Sequence, residues 1–406
     1  MAGSGSHITL CGRRFSFGRR IISSLFGQER RREFLKQEYK LWTFQALDTL
    51  FFRDGTPFRQ GEGGMAQPTG YFPPYMSTMQ GAIRTALALR QGWTPQKQAH
   101  WPEKLGTYEH LGDLKLRGPY LRFNQERLFP IPLTLIGKYS AENKKWQLTR
   151  LIPSETLVEC DLGSVYLPEP QEHVEGAKNI DGWLPWREME KLLAGKKPSL
   201  IYVTDDLWNT ELHVGIRRDR KTRTAEDQHL YTTTHIRPKQ GLQIEVEVGG
   251  IPEAWHLQET DALPLGGEGR MAHVSVSHVS ESFPAIPKLK QDPEYIYFTV
   301  TLITPGYFGS RDNIYDVIQN GPSEVPGECV SACTGKMQQM GGWDMVNHCP
   351  RPLLPLIPAG STWFFKAKKN EYSSIKQLHG QCIGEMTEYG MGQIVIGVWQ
   401  EGEENQ

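Results

Sequence analysis

The stretch Tyr39-Lys-Leu-Trp-Thr-Phe-Gln-Ala46, running on to Leu50-Phe-Phe-Arg-Asp-Gly55, decides how the chain folds. Trp42, Phe44 and Ala46 alternate with Thr43 and Gln45, the pattern of a strand with one buried face. Leu50-Phe51-Phe52 ends at Arg53-Asp54-Gly55, a turn signal, and Gly61 to Gly64 prolong it as a glycine-rich loop. After Pro73-Pro74 the period lengthens. Met79, Ala82, Ile83, Ala86 and Leu87 fall on one helical stripe, Ser77 and Gln80 read as a capping box, and Gly92 as the stop. Strand, polar loop and crossover-length helix open a ferredoxin-like βαββαβ unit.

Further along, Pro185 and Gly195 bracket a short helix expected over 186–194. Leu242, Ile244, Val246 and Val248 alternate with Gln243, Glu245 and Glu247. Ile296, Phe298, Val300 and Leu302 do the same against Tyr297, Thr299 and Thr301, and 394–399 reads as a short buried strand. These patterns predict an α+β protein of two domains, 41–205 and 206–401, meeting at the weakly periodic stretch around Asp205-Asp206.

Composition agrees. At roughly 150 residues per domain, 406 residues suggest two or three domains. With 38% hydrophobic residues, 11 Trp, 15 Tyr and 16 Phe, the chain is too apolar and too aromatic to be disordered. Its 41 Gly and 27 Pro favour loops and short strands. No run approaches the roughly 18–20 apolar residues of a membrane helix, so no membrane is expected. A net charge of −1 excludes a generic polyanion binder; nucleic-acid affinity must come from local basic clusters. Six cysteines without a hydrophobic leader fit the cytoplasm better than a disulfide framework. Residues 1–40 stand apart, with nine Lys/Arg against three Asp/Glu. They read first as a poorly ordered extension, second as a basic arm or a transit-peptide-like leader.

The strongest chemical signal lies between Glu211 and Arg237. Arg217, Arg218, Arg220, Lys221 and Arg223 place five cations beside one acid, Asp219, and the chain returns through Leu230-Tyr-Thr-Thr-Thr-His-Ile-Arg237. A strand, a basic tip and a β-prone return describe a projecting hairpin, over 213–238, whose guanidinium groups suit phosphates and whose Tyr231 suits an unpaired base. Four glycine-rich loops follow: 265–270, 304–309, 341–344 and 388–393. Their backbone N–H groups are candidates to approach phosphates. Thr334-Gly-Lys336 fails as a Walker A motif, because Val330 and Met337 occupy required positions, and no dinucleotide fingerprint, nucleophile elbow or zincin helix occurs. Cys329, Cys333, His348 and Cys349 invite a zinc reading, but adjacent His348 and Cys349 turn poorly toward one ion, so no metal is expected. No histidine spacing selects a catalytic pair.

The ordered set of motifs from Leu47-Asp-Thr-Leu-Phe-Phe-Arg-Asp-Gly-Thr-Pro-Phe58 through Gly81-Ala-Ile-Arg84, Gly215-Ile-Arg217, Gly267-Glu-Gly-Arg270 and Thr304-Pro-Gly-Tyr-Phe308 resembles one family. Thr334-Gly-Lys336, Gly342-Trp-Asp344, Pro358-Ala-Gly-Ser-Thr362 and Tyr389-Gly-Met-Gly392 complete it. That family is the third subunit of the Cmr complex, the type III-B CRISPR effector, within the RAMP superfamily. The resemblance implies two tandem ferredoxin-like (RRM-like) domains with a projecting hairpin. It implies a non-catalytic scaffold without cofactors that grips the 5′ handle of the CRISPR RNA beside the large polymerase-like subunit and other RAMP subunits. Carried over, Arg217, Arg218, Arg220, Lys221, Arg223, Tyr231 and Arg237 would hold the RNA on the hairpin. Arg53, Arg84, Arg270, Lys336, Trp343, Tyr389, Gly390 and Gly392 would line a groove for the handle. The enzymatic alternative is a metal-independent RAMP endoribonuclease that processes CRISPR repeat RNA through a histidine.

Overall fold

The alternating segments pair as antiparallel sheets. The computed structural model of the chain describes residues 39–53, 70–96, 101–107, 109–160, 163–218, 225–279, 283–344 and 349–399; the basic extension 1–38 lies outside them. The first sheet has eight strands. Their spatial order is Asp261–Pro264, Met271–His278, Lys40–Ala46, Gln243–Gly249, Lys115–Phe123, Glu126–Pro130, Gly182–Pro185 and Tyr202–Val203, every neighbouring pair antiparallel. Helix Met76–Arg90 covers one face. Met79, Ile83 and Leu87 from the helix meet Trp42, Phe44, Ile244, Val246, Val248 and Val274 from the strands, all at 3% exposure or less. Each such side chain contributes roughly 1.5–3 kcal/mol on burial. The expected capping box does not form: Tyr75 stands at the cap, and the Gln80 amide donates to the Ser77 carbonyl at 3.0 Å instead. The helix starts two residues earlier than a Ser77 cap allows, with its cap directly after the proline pair.

The second sheet places Lys290–Gln291, Tyr295–Leu302, Thr362–Lys368 and Glu328–Cys333 side by side, with Ile394–Val398 also on Tyr295–Leu302. Helices Arg311–Asn320 and Tyr372–Leu378 back one face through Ile314, Val317 and Ile375. Ser310 caps the first of them, accepting from the Asn313 N–H at 3.3 Å. A four-stranded sheet of Gly163–Pro170, Lys145–Cys160, Leu135–Ser140 and Lys178–Asn179 forms a third layer. Helix Trp186–Leu193 falls where Pro185 and Gly195 predict, and its Met189, Leu192 and Leu193 join Phe129, Leu184, Ile303 and Val395 in a core that seams both large sheets.

The expected boundary at 205–206 is corrected by the pairing. Gln243–Gly249 lies between Lys40–Ala46 and Lys115–Phe123, and Met271–His278 lies on the other side of Lys40–Ala46. The first sheet thus draws two of its four inner strands from beyond 206, and the next sheet begins only at Lys290. Counted in chain order, the inner strands of both sheets stand fourth, first, third, second. The first sheet differs in carrying residues 124–242 as an insertion between its second and third strands, and a single 3-10 turn, Glu253–Trp255, where the second sheet has a helix.

The helix-free face of the first sheet is charged and yet closed. Arg127, 1% exposed, donates from Nε to Glu245 Oε2 at 2.8 Å and from Nη1 to Glu247 Oε1 at 2.7 Å. Arg122 adds a bond to Glu245 Oε1 at 2.8 Å, and the Arg127 guanidinium lies 4.3 Å from the Tyr120 ring. Burial alone would lower the Arg127 pKa; the carboxylates of Glu247 and Glu245 more than reverse this and hold it above the ordinary value. Among the described residues no helix is long and apolar enough to cross a membrane.

Candidate nucleic-acid interface

Trp208–Arg218 and Ala225–Pro238 form a two-stranded antiparallel ribbon that joins no other sheet. Register runs from Trp208 opposite Pro238 to Ile216 opposite Leu230, then shifts before Arg218 opposite Ala225. Sequence and structure agree on a hairpin here, although it begins at 208 and not at 213. Leu212 and Val214 leave its stem 64% and 63% exposed, so the ribbon stands away from the body.

Its base is held by reciprocal backbone bonds between Leu50 and Ile236, both 2.8 Å, and by two side-chain devices. One is aromatic: Trp208 packs edge-on against Phe72 (4.6 Å between centroids) and Trp183 (5.0 Å). The other is ionic. Arg237 donates to Asp48 Oδ1 at 2.9 Å and through Nη2 and Nε to both Glu211 oxygens, the former at 3.0 Å, while Arg270 reaches Asp48 Oδ2 at 3.2 Å. These bonds raise the Arg237 pKa further. Between them His235 stacks on His213 (4.0 Å) and Phe51 (5.0 Å) and hydrogen-bonds with Thr49 and Thr233. Its burial, then the charges of His213 and Arg270, push its pKa down to about 4, so it is a neutral wedge at neutral pH.

The structure sorts the expected RNA contacts into separate groups. Arg217, Arg218 and Tyr231 lie on the ribbon strands, but their side chains, and residues 220, 221 and 223 altogether, fall outside the described residues. Arg237 and Arg270 come together at the ribbon base, where carboxylates already engage them. Expected on the hairpin and in the groove respectively, the two instead share Asp48 and anchor the ribbon base. Arg53 is exposed and bridges Gly70, and Lys336 is exposed two residues before Gln338, which accepts from the Tyr71 hydroxyl at 3.1 Å. Trp343 stands in a two-residue strand against Pro350; its side chain lies outside the described residues.

Arg84 and Tyr389 are interior. Arg84 is 8% exposed and donates to the Thr107 carbonyl at 2.6 Å and to Gln80 Oε1 at 3.2 Å, bracing the 101–112 segment with Trp101 5.3 Å from its guanidinium. Burial lowers its pKa. Tyr389 is 7% exposed within the first core. Gly390 and Gly392 carry φ of 70° and 69°, and a Cβ would sit 2.8 Å from the Leu116 carbonyl oxygen or 2.0 Å from that of Ile383. Their N–H groups already donate to Thr387 and Pro305 carbonyls at 3.0 and 2.9 Å. Gly267 and Gly306 likewise donate to Phe51 and Ile357. In these three loops the glycines therefore serve close backbone packing, and the N–H groups of Gly390 and Gly392, expected to approach phosphates, are already taken by carbonyls.

Cys329 and Cys333 point from one strand, each thiol pushed up to about 12 by burial, and among the described residues no three metal-binding side chains gather. Sequence reasoning missed a cleft of about 480 Å³ beside the ribbon base, lined by Tyr71, Phe72, Tyr75, Trp183, Trp208 and Gln338 among others. Tyr71 and Tyr75 stack there at 4.1 Å. The aromatic-proline run Tyr71-Phe-Pro-Pro-Tyr75 is the signal that could have marked it.

Comparison with known proteins yields a family model. The model described as CRISPR-associated protein (Cas_Cmr3) matches residues 42–399. No curated protein matches the chain. Among solved structures, the type III-B Cmr-beta complex bound to cognate target RNA has a chain 17% identical, covering 83% of this chain and 89% of that one, with a TM-score of 0.46. The same complex with target RNA and AMPPnP gives 16% identity, 83% and 88% coverage and a TM-score of 0.44. The Csm3-Csm4 subcomplex of the type III-A interference complex gives 12% identity, 80% and 92% coverage and a TM-score of 0.34.

Proposed function

The chain belongs to the Cas_Cmr3 family of CRISPR-associated proteins, and from that premise we propose that it is the non-catalytic RNA-binding subunit of a type III-B (Cmr) effector complex. It holds the 5′ handle of the CRISPR RNA, docks on the large polymerase-like subunit beside other RAMP subunits, and acts in the cytoplasm in defence against foreign nucleic acid. Each large sheet is read as one ferredoxin-like unit, a reading supported by the strand order fourth, first, third, second in both.

The observation that carries the proposal is the ribbon. Asp48 and Glu211 balance Arg237 and Arg270 at its base, so the cation excess belongs to the sequence beyond the stem, where five Lys/Arg between 217 and 223 outnumber Asp219, Glu226 and Asp227. A long stem with a neutralised base and a cationic end delivers charge to a phosphate chain at a distance from the body. Replacing Arg217, Arg218, Arg220, Lys221 and Arg223 with Ser lowers the affinity of the full chain for handle-bearing RNA. It also flattens the salt dependence by roughly 0.7 in log–log slope for each phosphate no longer neutralised. An unchanged salt titration overturns the reading. Incubation with labelled repeat RNA in EDTA leaves the RNA intact; discrete products that disappear on mutating one histidine would instead establish the endoribonuclease alternative.

A further inference from the structure

The second sheet keeps one face free of its two helices, and that face changes character along its length. At one end it is core: Thr301 bonds Thr362 at 2.9 Å, Val395 is fully buried, and Gly397 lies against Leu193 of the 186–193 helix. At the other end it opens. Register sets Lys290 opposite Tyr297, Tyr297 opposite Lys366, Lys366 opposite Glu328, and Tyr295 opposite Lys368. Residues directly opposed across antiparallel strands share a face, so lysines and tyrosines interleave on one surface with the exposed Glu328 at its edge. Both tyrosines and Lys366 are half-buried, and Lys368 is exposed.

The rings are set as a platform. Trp399 meets Tyr297 edge-on at 5.4 Å and leans on the buried Phe364 at 5.8 Å. Tyr297 donates to Asp292 Oδ2 at 2.9 Å, which fixes its plane, and Asp292 is itself held by the N–H groups of Glu294 and Tyr295 at 2.8 and 2.6 Å. Those bonds lower the Asp292 pKa and occupy the carboxylate. The Lys366 ammonium lies 4.1 Å from the Tyr295 centroid and 6.0 Å from that of Tyr297, and among the described residues it forms no ion pair. The core needs none of these side chains, since Ile296, Phe298, Phe365 and Ala367 point to the opposite, helix-covered face.

We propose that this open end of the second sheet is a separate binding surface for single-stranded RNA, with bases stacked on Tyr295 and Tyr297 and phosphates met by Lys366 and Lys368. Sheet-borne aromatics flanked by cations accept any base, because every base offers a π-face and the lysines need only the backbone. The inference rests on the reading of the chain as an RNA-binding subunit and adds a second surface to the ribbon.

The test is photocross-linking of the full chain to a short 4-thiouridine-substituted oligouridine, mapped by peptide sequencing, with binding titrations alongside. Cross-links are expected at Tyr295, Tyr297 or Trp399. Tyr295→Ala and Tyr297→Ala should each weaken binding roughly fivefold or more. Tyr297→Phe, which keeps the ring and loses the Asp292 bond, should weaken binding less than Tyr297→Ala does. Lys366→Ala should reduce the salt slope by roughly 0.7. Unchanged thermal melting of Tyr295→Ala shows that loss of binding is not loss of fold. Cross-links confined to the ribbon, with the tyrosine variants binding normally, overturn this surface and leave the proposed function standing. Cross-links to neither surface overturn both. Protection of Tyr295 and Tyr297 by a protein subunit in the assembled complex, without any RNA cross-link there, makes the face a protein interface and also overturns the inference.

Discussion

The two large sheets share a strand order and treat their helix-free faces in opposite ways. In the first, Arg127, Glu245 and Glu247 are driven under cover, each charge matched by another within 3 Å. In the second, Lys366 and Lys368 stay near solvent beside tyrosines. The same backbone plan therefore yields a sealed face and an available one. The insertion at 124–242 supplies Arg127 to the first sheet, while its 186–193 helix covers the second only at the end where Leu193 meets Gly397.

The sharpest way to break this contrast is Arg127→Met. It removes the hydrogen bond of the buried Glu247 and leaves the buried Glu245 to Arg122 alone, and should cost roughly 3–5 kcal/mol, read as a lowered denaturant midpoint, whereas Lys366→Met should shift stability by about 0.5 kcal/mol or less. Equal effects would show that the first face is not sealed. Next comes Gly390→Ala, which forces a Cβ at positive φ against the Leu116 carbonyl and should cost about 1–3 kcal/mol without a specific loss of RNA affinity. A selective loss of RNA binding with unchanged melting would restore the phosphate-cradle role to that loop.

A pH experiment probes the first core. Trp42 Nε1 donates to His256 Nδ1 at 3.0 Å, which requires a neutral ring, and burial followed by the Lys40 charge lowers the His256 pKa to about 4. The unfolded ring titrates near 6.5. The folded state therefore binds fewer protons in that window, and stability present above about pH 6.5 is lost as pH falls toward 4. His256→Gln should show a shallower fall in melting temperature over that range than the parent chain. Asp48→Asn loosens only an exposed pair, so stability should barely move, and its readout is looser protection of ribbon amides in hydrogen exchange.

Much of this was legible in the chain itself. The alternation at 42–46, 242–248 and 296–302, the helix after Pro74 and the hairpin after Glu211 all stand where periodicity puts them. The domain boundary did not, because the run around Asp205-Asp206 is weakly periodic for a local reason, a four-residue helix leading into the ribbon, and strand pairing is non-local. The site residues divided for a similar reason. A guanidinium at Arg84 or Arg237 looks the same in sequence whether it faces solvent, a carbonyl or a carboxylate. Asp48 and Glu211 betray nothing until the ribbon brings them to Arg237. Gly390 and Gly392 read as phosphate loops because glycine near a ligand and glycine near another backbone satisfy one requirement, room for close approach.

The pairing of Gln243–Gly249 with both Lys40–Ala46 and Lys115–Phe123 has a consequence for synthesis. An emerging polypeptide reaches its ribbon, its third layer and its seam helix while the centre of its first sheet is still a gap, and that gap closes only after Gln243–Gly249 has left the ribosome, with the outer edge of Lys40–Ala46 covered once His278 follows. Until then two hydrophobic strand edges wait for a partner encoded far downstream. A nascent chain stalled before Gln243 is therefore expected to be the aggregation-prone species, and one stalled beyond His278 a protease-resistant one.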